Sequence, residues 1–307
     1  MMDKAGHKAE LKQKKIGVLM GGLSSEREIS LRSGSAVLQS LQRSGYQAVP
    51  IDGDRHVVER LRDEAVEIAF IALHGRWGED GTIQGLLEML AIPYTGSGVL
   101  GSALAMDKAV MKPILLGLGI PTPSYVICRT GDDVTLPLPF VVKPAREGST
   151  IGISIVRSEE EKEAALVSAL RLDSKLVIES YIAGREITVG LVNGRALPVV
   201  EVKPASGFYD YTAKYTKGMT EYLVPAALDQ KIEEEARDLA LRLWQHCELS
   251  GCARVDVMLD GQTPSVIDVN TSPGMTESSL VPKAWGALGK SFDELVEEIL
   301  MSAGLRA

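Results

Sequence analysis

The chain is short of the features that mark specialised protein classes. Its 307 residues include three cysteines, Cys128, Cys247 and Cys252. They form neither a Cys-x-x-Cys pair nor an even disulfide framework, so they read as small buried residues in a reducing compartment. Basic charge is also scarce. Thirty-three Lys and Arg against 41 Asp and Glu leave a formal net charge of −8, which argues against a nucleic-acid partner. No apolar run approaches the roughly 18 residues of a membrane span. The polar start, Met1 to Gln13, lacks the apolar core of a signal peptide. The expectation is a cytoplasmic protein whose residues 1–13 are a disordered tail. Internal repeats and low-complexity segments are missing, and the first glycine turn, Gly21 to Glu28, is neither a Walker P-loop nor a Gly-x-Gly-x-x-Gly. What remains is the composition of a soluble enzyme, long enough for two or three domains.

The most informative stretch lies near the end. Arg254-Val255-Asp256-Val257-Met258-Leu259 and Val266-Ile267-Asp268-Val269-Asn270 both alternate with a strand period, with Asp260-Gly261-Gln262-Thr263-Pro264 as the turn. Folding them about Gln262 sets Asp256 opposite Asp268 and Arg254 opposite Asn270, with Ile267 and Val269 on the other face. Carboxylates this close repel, so a cation belongs between them. A few hard oxygen ligands suit Mg²⁺ shared with the phosphates of a nucleotide. The alternative is a solvated hairpin face. The Thr271-Ser272-Pro273-Gly274-Met275 turn that follows favours the metal, because its backbone N–H groups can approach an anion.

The first third reads as a small doubly wound α/β unit over residues 14–106. Strand Lys15 to Met20 runs into Gly21-Gly22-Leu23-Ser24-Ser25-Glu26-Arg27-Glu28. Ser25 and Glu28 have capping-box spacing for a helix ending near Gly45. Glu26 at this mouth would repel a phosphate and attract an ammonium group. Strand Val66 to Leu73 ends in His74-Gly75-Arg76-Trp77-Gly78-Glu79, and a helix begins near Thr82. Ligands of open α/β sheets sit past the carboxyl ends of strands, where Glu26 and His74 lie.

Asp107-Lys108 opens the next helix. Strand Pro139 to Pro144 carries Lys143, and Arg146-Glu147-Gly148-Ser149-Thr150-Ile151-Gly152 follows. With Lys108 and Lys143 as charge partners, this loop can cover phosphates; otherwise it is a structural hairpin loop. Val177 to Ile182 reads as a strand edge for a purine, with Glu179 and Glu186 near enough for purine and ribose groups or else solvated. Lys203 to Tyr222 is a long polar loop rich in Tyr and Lys, of a length that is usually functional or disordered. Asp229 to Cys247 is an amphipathic helix, and a last helix starts near Ser291.

Taken together, these motifs resemble the D-alanine–D-alanine ligases of the ATP-grasp superfamily. The resemblance runs from Lys15 to the C-terminal helix. It rests on Gly21 to Glu28, His74-Gly75-Arg76, Asp107-Lys108, Lys143-Pro144, Arg146 to Ser149, Tyr209-Asp210-Tyr211 with Ala213-Lys214-Tyr215, and Asn270 to Met275. It implies an α/β, three-domain ATP-grasp fold with ATP between two antiparallel sheets. The units would be residues 14–106, 107–186 and 187–307. It also implies a D-alanyl phosphate intermediate, a role in peptidoglycan synthesis and a homodimer.

By the same resemblance, Lys108, Lys143, Ser149 and Lys214 bind the ATP phosphates. Glu179, Tyr181 and Glu186 hold adenine and ribose. Asp256, Asp268 and Asn270 bind Mg²⁺, with Mn²⁺ as a substitute and a monovalent cation as an open requirement. Glu26 takes the ammonium of the first D-alanine, supported by His74. Arg254 and the Gly274 N–H face the oxyanion, and Ser279 with the Leu280 N–H takes the carboxylate of the second D-alanine. A Glu26–Ser149–Tyr215 latch would shut out water. Asp268 departs from the Glu of many relatives, which implies altered metal affinity or geometry. A D-alanine–D-lactate ligase is the nearest rival, disfavoured by Tyr215. A nucleotide-binding regulator without catalysis is the rival of another class, disfavoured by the retention of Arg254 and the metal ligands.

Overall fold

Apolar runs punctuated by glycine turns become the strands of three sheets. A computed structural model describes residues 4–130, 132–205, 216 and 218–306. Part of the stretch expected to fray is ordered. Lys4–Leu11 forms helix α1, which is tied down because Leu11 is buried and Lys8 pairs with Glu297 at 2.8 Å.

The first sheet is parallel in the order β2 (Gln47–Asp52), β1 (Lys15–Met20), β3 (Ile68–Ile71). Side chains alternate across it, so each face has its own core. Val18 and Phe70 pack with Val37 of α2 (Arg27–Arg43), whereas Leu19 and Ile51 pack with Leu61 of α3 (Val57–Asp63) and Leu87 of α4 (Thr82–Met89). This is the doubly wound arrangement the sequence predicts, although β3 is shorter than Val66 to Leu73. The helices α5 (Val99–Met106) and α6 (Lys108–Gly117) lead away from it. Asp107 caps α6 by accepting from the N–H groups of Ala109 and Val110.

The second sheet is antiparallel, ordered β4 (Tyr125–Cys128), β7 (Leu176–Ser180), β5 (Phe140–Pro144), β6 (Ser154–Val156), with α7 (Glu159–Leu170) against it. The strand around Val177 is therefore not an edge. Both its neighbours are paired, and open backbone begins only beyond Ser180.

The third sheet follows the path β11 (Thr220–Leu223), β10 (Val200–Pro204), β8 (Arg185–Val192), β12 (Cys252–Asp260), β13 (Thr263–Asn270), and β9 (Arg195–Ala196) pairs with β8. One face carries α8 (Gln230–His246), whose stripe Ile232, Ala236, Leu239, Ala240 and Leu243 is buried as its period requires. Val192, Val200 and Val202 instead join a core with the C-terminal helices α9 (Leu280–Gly286) and α10 (Phe292–Leu300) and with the α2 side of the first sheet.

Polar contacts lock that shared core next to the strand ends. The imidazole of His74 is buried, with Nδ1 3.2 Å from Glu79 Oε1 and Nε2 3.1 Å from Ser33 Oγ. Ser33 also accepts the N–H of Met275, and Ser272 Oγ donates to the Leu73 carbonyl. Burial opposes the charged ring, but the hydrogen bond and charge of Glu79, with Glu26 further off, outweigh it, and His74 is held above its ordinary value. A raised folded-state value contributes stability that is complete below about pH 6.5 and is lost as pH climbs through it. The difference in melting temperature between wild type and His74→Gln is expected to be widest near about pH 6 and to narrow towards about pH 9. A pH-independent difference would show that the ring stays neutral.

Candidate active site

The β12–β13 hairpin makes the cross-strand pairs that alternation predicts, by another route. Asp260 lies opposite Thr263, so the turn holds only Gly261 and Gln262, with Gly261 at φ 60°. Continued without interruption, that register would set Asp256 opposite Ile267. A β-bulge intervenes at Ile267, and Asp256 pairs with Asp268 and Arg254 with Asn270. The extra residue breaks the alternation. Ile267 does not turn to the face opposite Asp268; both line the same cleft, and the Ile267 carbonyl lies 3.5 Å from Lys143 Nζ.

Arg254 and Asp256, two residues apart on one strand face, form a bidentate pair with both contacts at 2.8 Å. Thr188 Oγ1 donates to Asp256 Oδ1 at 2.6 Å from the neighbouring strand. Asp268 has Lys108 Nζ 3.5 Å away, and Asn270 Oδ1 accepts the N–H of Ser272. Two facing carboxylates and an amide oxygen are hard donors of the kind Mg²⁺ takes, and the donor set fits it. Among the described residues no three acids or His/Cys side chains converge, so the protein would supply few ligands and a phosphate the others.

The cleft between the two antiparallel sheets has a volume of about 400 Å³. Lys143, Glu179 and Ile155 line it from one side, and Glu186, Met258 and Asp268 from the other, with Lys108, Tyr181 and the loop around Gly148 along its length. Lys108 Nζ donates to the Glu147 carbonyl at 2.8 Å. Lys143 and Glu179 are buried together at 2.8 Å. Burial disfavours both charges, but their mutual attraction prevails, so Lys143 is raised and Glu179 lowered from their ordinary values. The N–H of Tyr181 is taken by the Pro139 carbonyl and is not open to a ligand in the cleft.

Glu26 is buried beside this cleft. The capping box expected of Ser25 and Glu28 does not form: α2 begins at Arg27, and Glu26 occupies the N-cap position without a side-chain cap. Its carboxylate instead accepts from Ser149 Oγ. A Cβ on Gly148 would come within 2.6 Å of Glu26 Oε2, and one on Gly75 within 2.9 Å, so only glycine admits the carboxylate between these loops. Ser149 and Thr150 take φ of 51° and 63°, a strained left-handed turn that brings the hydroxyl to Glu26. Further along, a Cβ on Gly274 would stand 2.9 Å from Ser279 Oγ, and that oxygen accepts the Thr276 N–H. Ser279 precedes α9, whose first residue, Leu280, is buried. Lys214 and Tyr215, with Tyr209, Asp210 and Tyr211, lie outside the described residues.

Other groups belong to the site without having been read from the sequence. Glu147 receives Arg76 at 3.2 Å, and burial, with the charge of Glu26 nearby, pushes its carboxyl up. Glu201 lines the cleft paired to Arg185, and Arg27 clamps Asp52 at 2.6 Å behind the first glycine turn. Lys112 meets Glu179. Lys112 had a signal, since it follows Lys108 by four helical residues; Ser33 and Asp52 had none, because their partners are remote in sequence.

Comparison with known proteins agrees with this geometry. Family models for the D-ala D-ala ligase N-terminus and C-terminus match residues 56–97 and 117–301. The D-alanine–D-alanine ligase of Syntrophotalea carbinolica is 55% identical over 300 residues, covering 97% of this chain and 98% of its own. That of Citrifermentans bemidjiense is 50% identical over 304 residues, covering 97% and 98%. The crystal structure of the Bacillus anthracis enzyme complexed with ATP superposes with a TM-score of 0.83 at 35% identity, covering 94% of this chain and 97% of that one. With its cleft between two antiparallel sheets and its likeness to these enzymes over nearly its whole length, the chain belongs to the D-alanine–D-alanine ligase family.

Proposed function

We propose that the chain joins two D-alanine molecules into D-alanyl-D-alanine with ATP, for peptidoglycan synthesis. The observation that carries this reading is the buried carboxylate of Glu26, held by Ser149 of the glycine loop that also borders the two-sheet cleft. An acid enclosed at that point suits an amino-acid ammonium group next to a nucleotide.

ATP lies in the cleft, its adenine near Tyr181 and Ile182, its ribose near Glu186 and its phosphates near Lys108 and Lys143, with Ser149 and, outside the described residues, Lys214 as the further phosphate-binding residues. Asp256, Asp268 and Asn270 would hold Mg²⁺, which when bound supplies positive charge against the phosphates. Glu26 binds the ammonium of the first D-alanine, and His74, fixed by Glu79 and Ser33, supports the wall behind it. A carboxylate oxygen of that D-alanine attacks the γ-phosphorus. The bond to the β–γ bridging oxygen breaks, and ADP departs. Phosphoryl transfer of this kind depends on positioning and charge.

The second D-alanine, with its carboxylate at Ser279 and the Leu280 N–H, attacks the acyl carbon through its free amine. Arg254 and the Gly274 N–H face the oxygen that gains negative charge. The tetrahedral intermediate collapses by breaking the bond to phosphate, which leaves as inorganic phosphate. Ser149 on Glu26, with Tyr215 outside the described residues as the further member of the latch, would keep water from the acyl phosphate. Residues 14–106, 107–186 and 187–307 act as three units, and two chains assemble as a homodimer. Among the described residues no helix is long and apolar enough to cross a membrane.

The direct test is ADP release from ATP and Mg²⁺ with D-alanine, beside L-alanine and a D-alanine/D-lactate mixture, with products identified by mass. D-Alanyl-D-alanine in equal amount to ADP is expected; a depsipeptide, or no turnover, overturns the reading. Arg254→Ala should lower kcat about 10²–10³-fold while ATP still binds, the scale of losing one oxyanion donor. Unchanged turnover would remove Arg254 from that role. Gly148→Ala should displace the Glu26 carboxylate and lower kcat/KM for D-alanine about 10²-fold with the fold intact by circular dichroism.

A further inference from the structure

A buried charge cluster lies behind the cleft, and of its members only Lys143 enters the steps above. Glu179 is enclosed between two ammonium groups, with Lys112 Nζ 2.8 Å from Oε1 and Lys143 Nζ 2.8 Å from Oε2. Lys143 lines the cleft; Lys112, only 2% exposed, does not, and reaches it only through Glu179. Lys112 stands one turn after Lys108 on α6, and the i, i+4 spacing puts both on one helix face. The same helix therefore sends Lys108 towards Asp268 at one end and Lys112 to Glu179 at the other. Lys112 Nζ also donates to Thr122 Oγ1 at 2.5 Å, and that hydroxyl donates to the Val266 carbonyl, beside the β13 bulge.

Enclosing an ammonium group away from water is costly unless it is paired. Two cations meet on one carboxylate, and the further negative charge felt by them comes from Asp268 and Glu186 across the cleft. Each carboxylate oxygen then has its own lysine, and Oε2 is the one that meets Lys143. Without Lys112, both oxygens of Glu179 would compete for Lys143. Burial, with the charge of Lys143, pushes Lys112 below its ordinary value, while Glu179 chiefly and Asp268 further off oppose the change.

We propose that Lys112 is a positioning residue for the nucleotide: by holding Oε1 of Glu179, it leaves Lys143 available to phosphate and fixes Glu179 at the purine end of the cleft. The inference rests on the placement of ATP proposed above. Its test measures the Kd of ATP by calorimetry and the KM values of ATP and D-alanine for Lys112→Met, Glu179→Gln, the double variant and Lys143→Met. Lys112→Met is expected to raise Kd and KM for ATP about tenfold, by analogy with groups that orient metal ligands, and to leave KM for D-alanine within about twofold. In the Glu179→Gln background the same substitution should have little further effect, because Lys112 acts through that carboxylate. If Lys112→Met does not fold, Thr122→Val, which removes the hydroxyl holding Lys112, should shift KM for ATP in the same direction. Unchanged ATP affinity in the folded variants, or a loss that persists in full without the Glu179 carboxylate, overturns the inference. If Lys143→Met weakens ATP binding and Lys112→Met does not, the inference alone fails. If neither weakens it, the placement of ATP fails as well.

Discussion

Repulsion between Asp256 and Asp268 is the constraint around which the catalytic half of the molecule is arranged. Cross-strand neighbours of like charge destabilise a sheet, yet the β12–β13 register sets these two side by side. The sheet tolerates them through surrounding cations and donors. Arg254 and Thr188 take up Asp256, and Lys108 approaches Asp268 from α6. Lys108 also lines the cleft, so part of the device that offsets the repulsion provides positive charge where a nucleotide's phosphates are proposed to lie.

A second balance operates at the glycine loop. Burial, with the charge of Glu26 nearby, pushes the Glu147 carboxyl up, while Arg76 opposes it and Ser149 donates to Glu26. The loop meets Glu26 only because Gly148 and Gly75 have no side chain and because Ser149 and Thr150 accept a left-handed backbone. Such strain persists where the surrounding structure over-determines it. Here the carboxylate, the hydroxyl and the packed glycines do so together. The purine end has its own balance in Glu179 and its two lysines. Each part of the cleft is thus a small set of charges whose net sign depends on one or two side chains behind the surface.

Much of this was legible from residue order. The alternation of β12 and β13 predicts the Asp256–Asp268 and Arg254–Asn270 pairs, and both form. The stripe from Ile232 to Leu243 predicts its buried face, and Asp107 caps the helix it was expected to open. Failures came where a local signal met a competitor. Ser25 and Glu28 have the spacing of a capping box, but α2 starts two residues after Ser25 and Glu26 turns to Ser149. The polar start looked unable to order itself, yet one buried leucine and an ion pair to α10 secure it. Val177 looked like an edge, but edge or centre is a property of sheet order, which a single strand does not carry.

Sequence by itself determined the periods of strands and helices, the glycine turns and the order of the charged motifs, because backbone sterics and side-chain alternation act over a few residues. That was enough to indicate the fold class and the family. Only the tertiary structure decided which charges meet. The bulge that turns Ile267 into the cleft, the sharing of Glu179 between Lys112 and Lys143, and the closure of Ser33 on His74 and Met275 all join residues from separate elements. Electrostatic and hydrogen-bond energies depend on distances through space and on burial, and neither is fixed until the sheets and helices have packed.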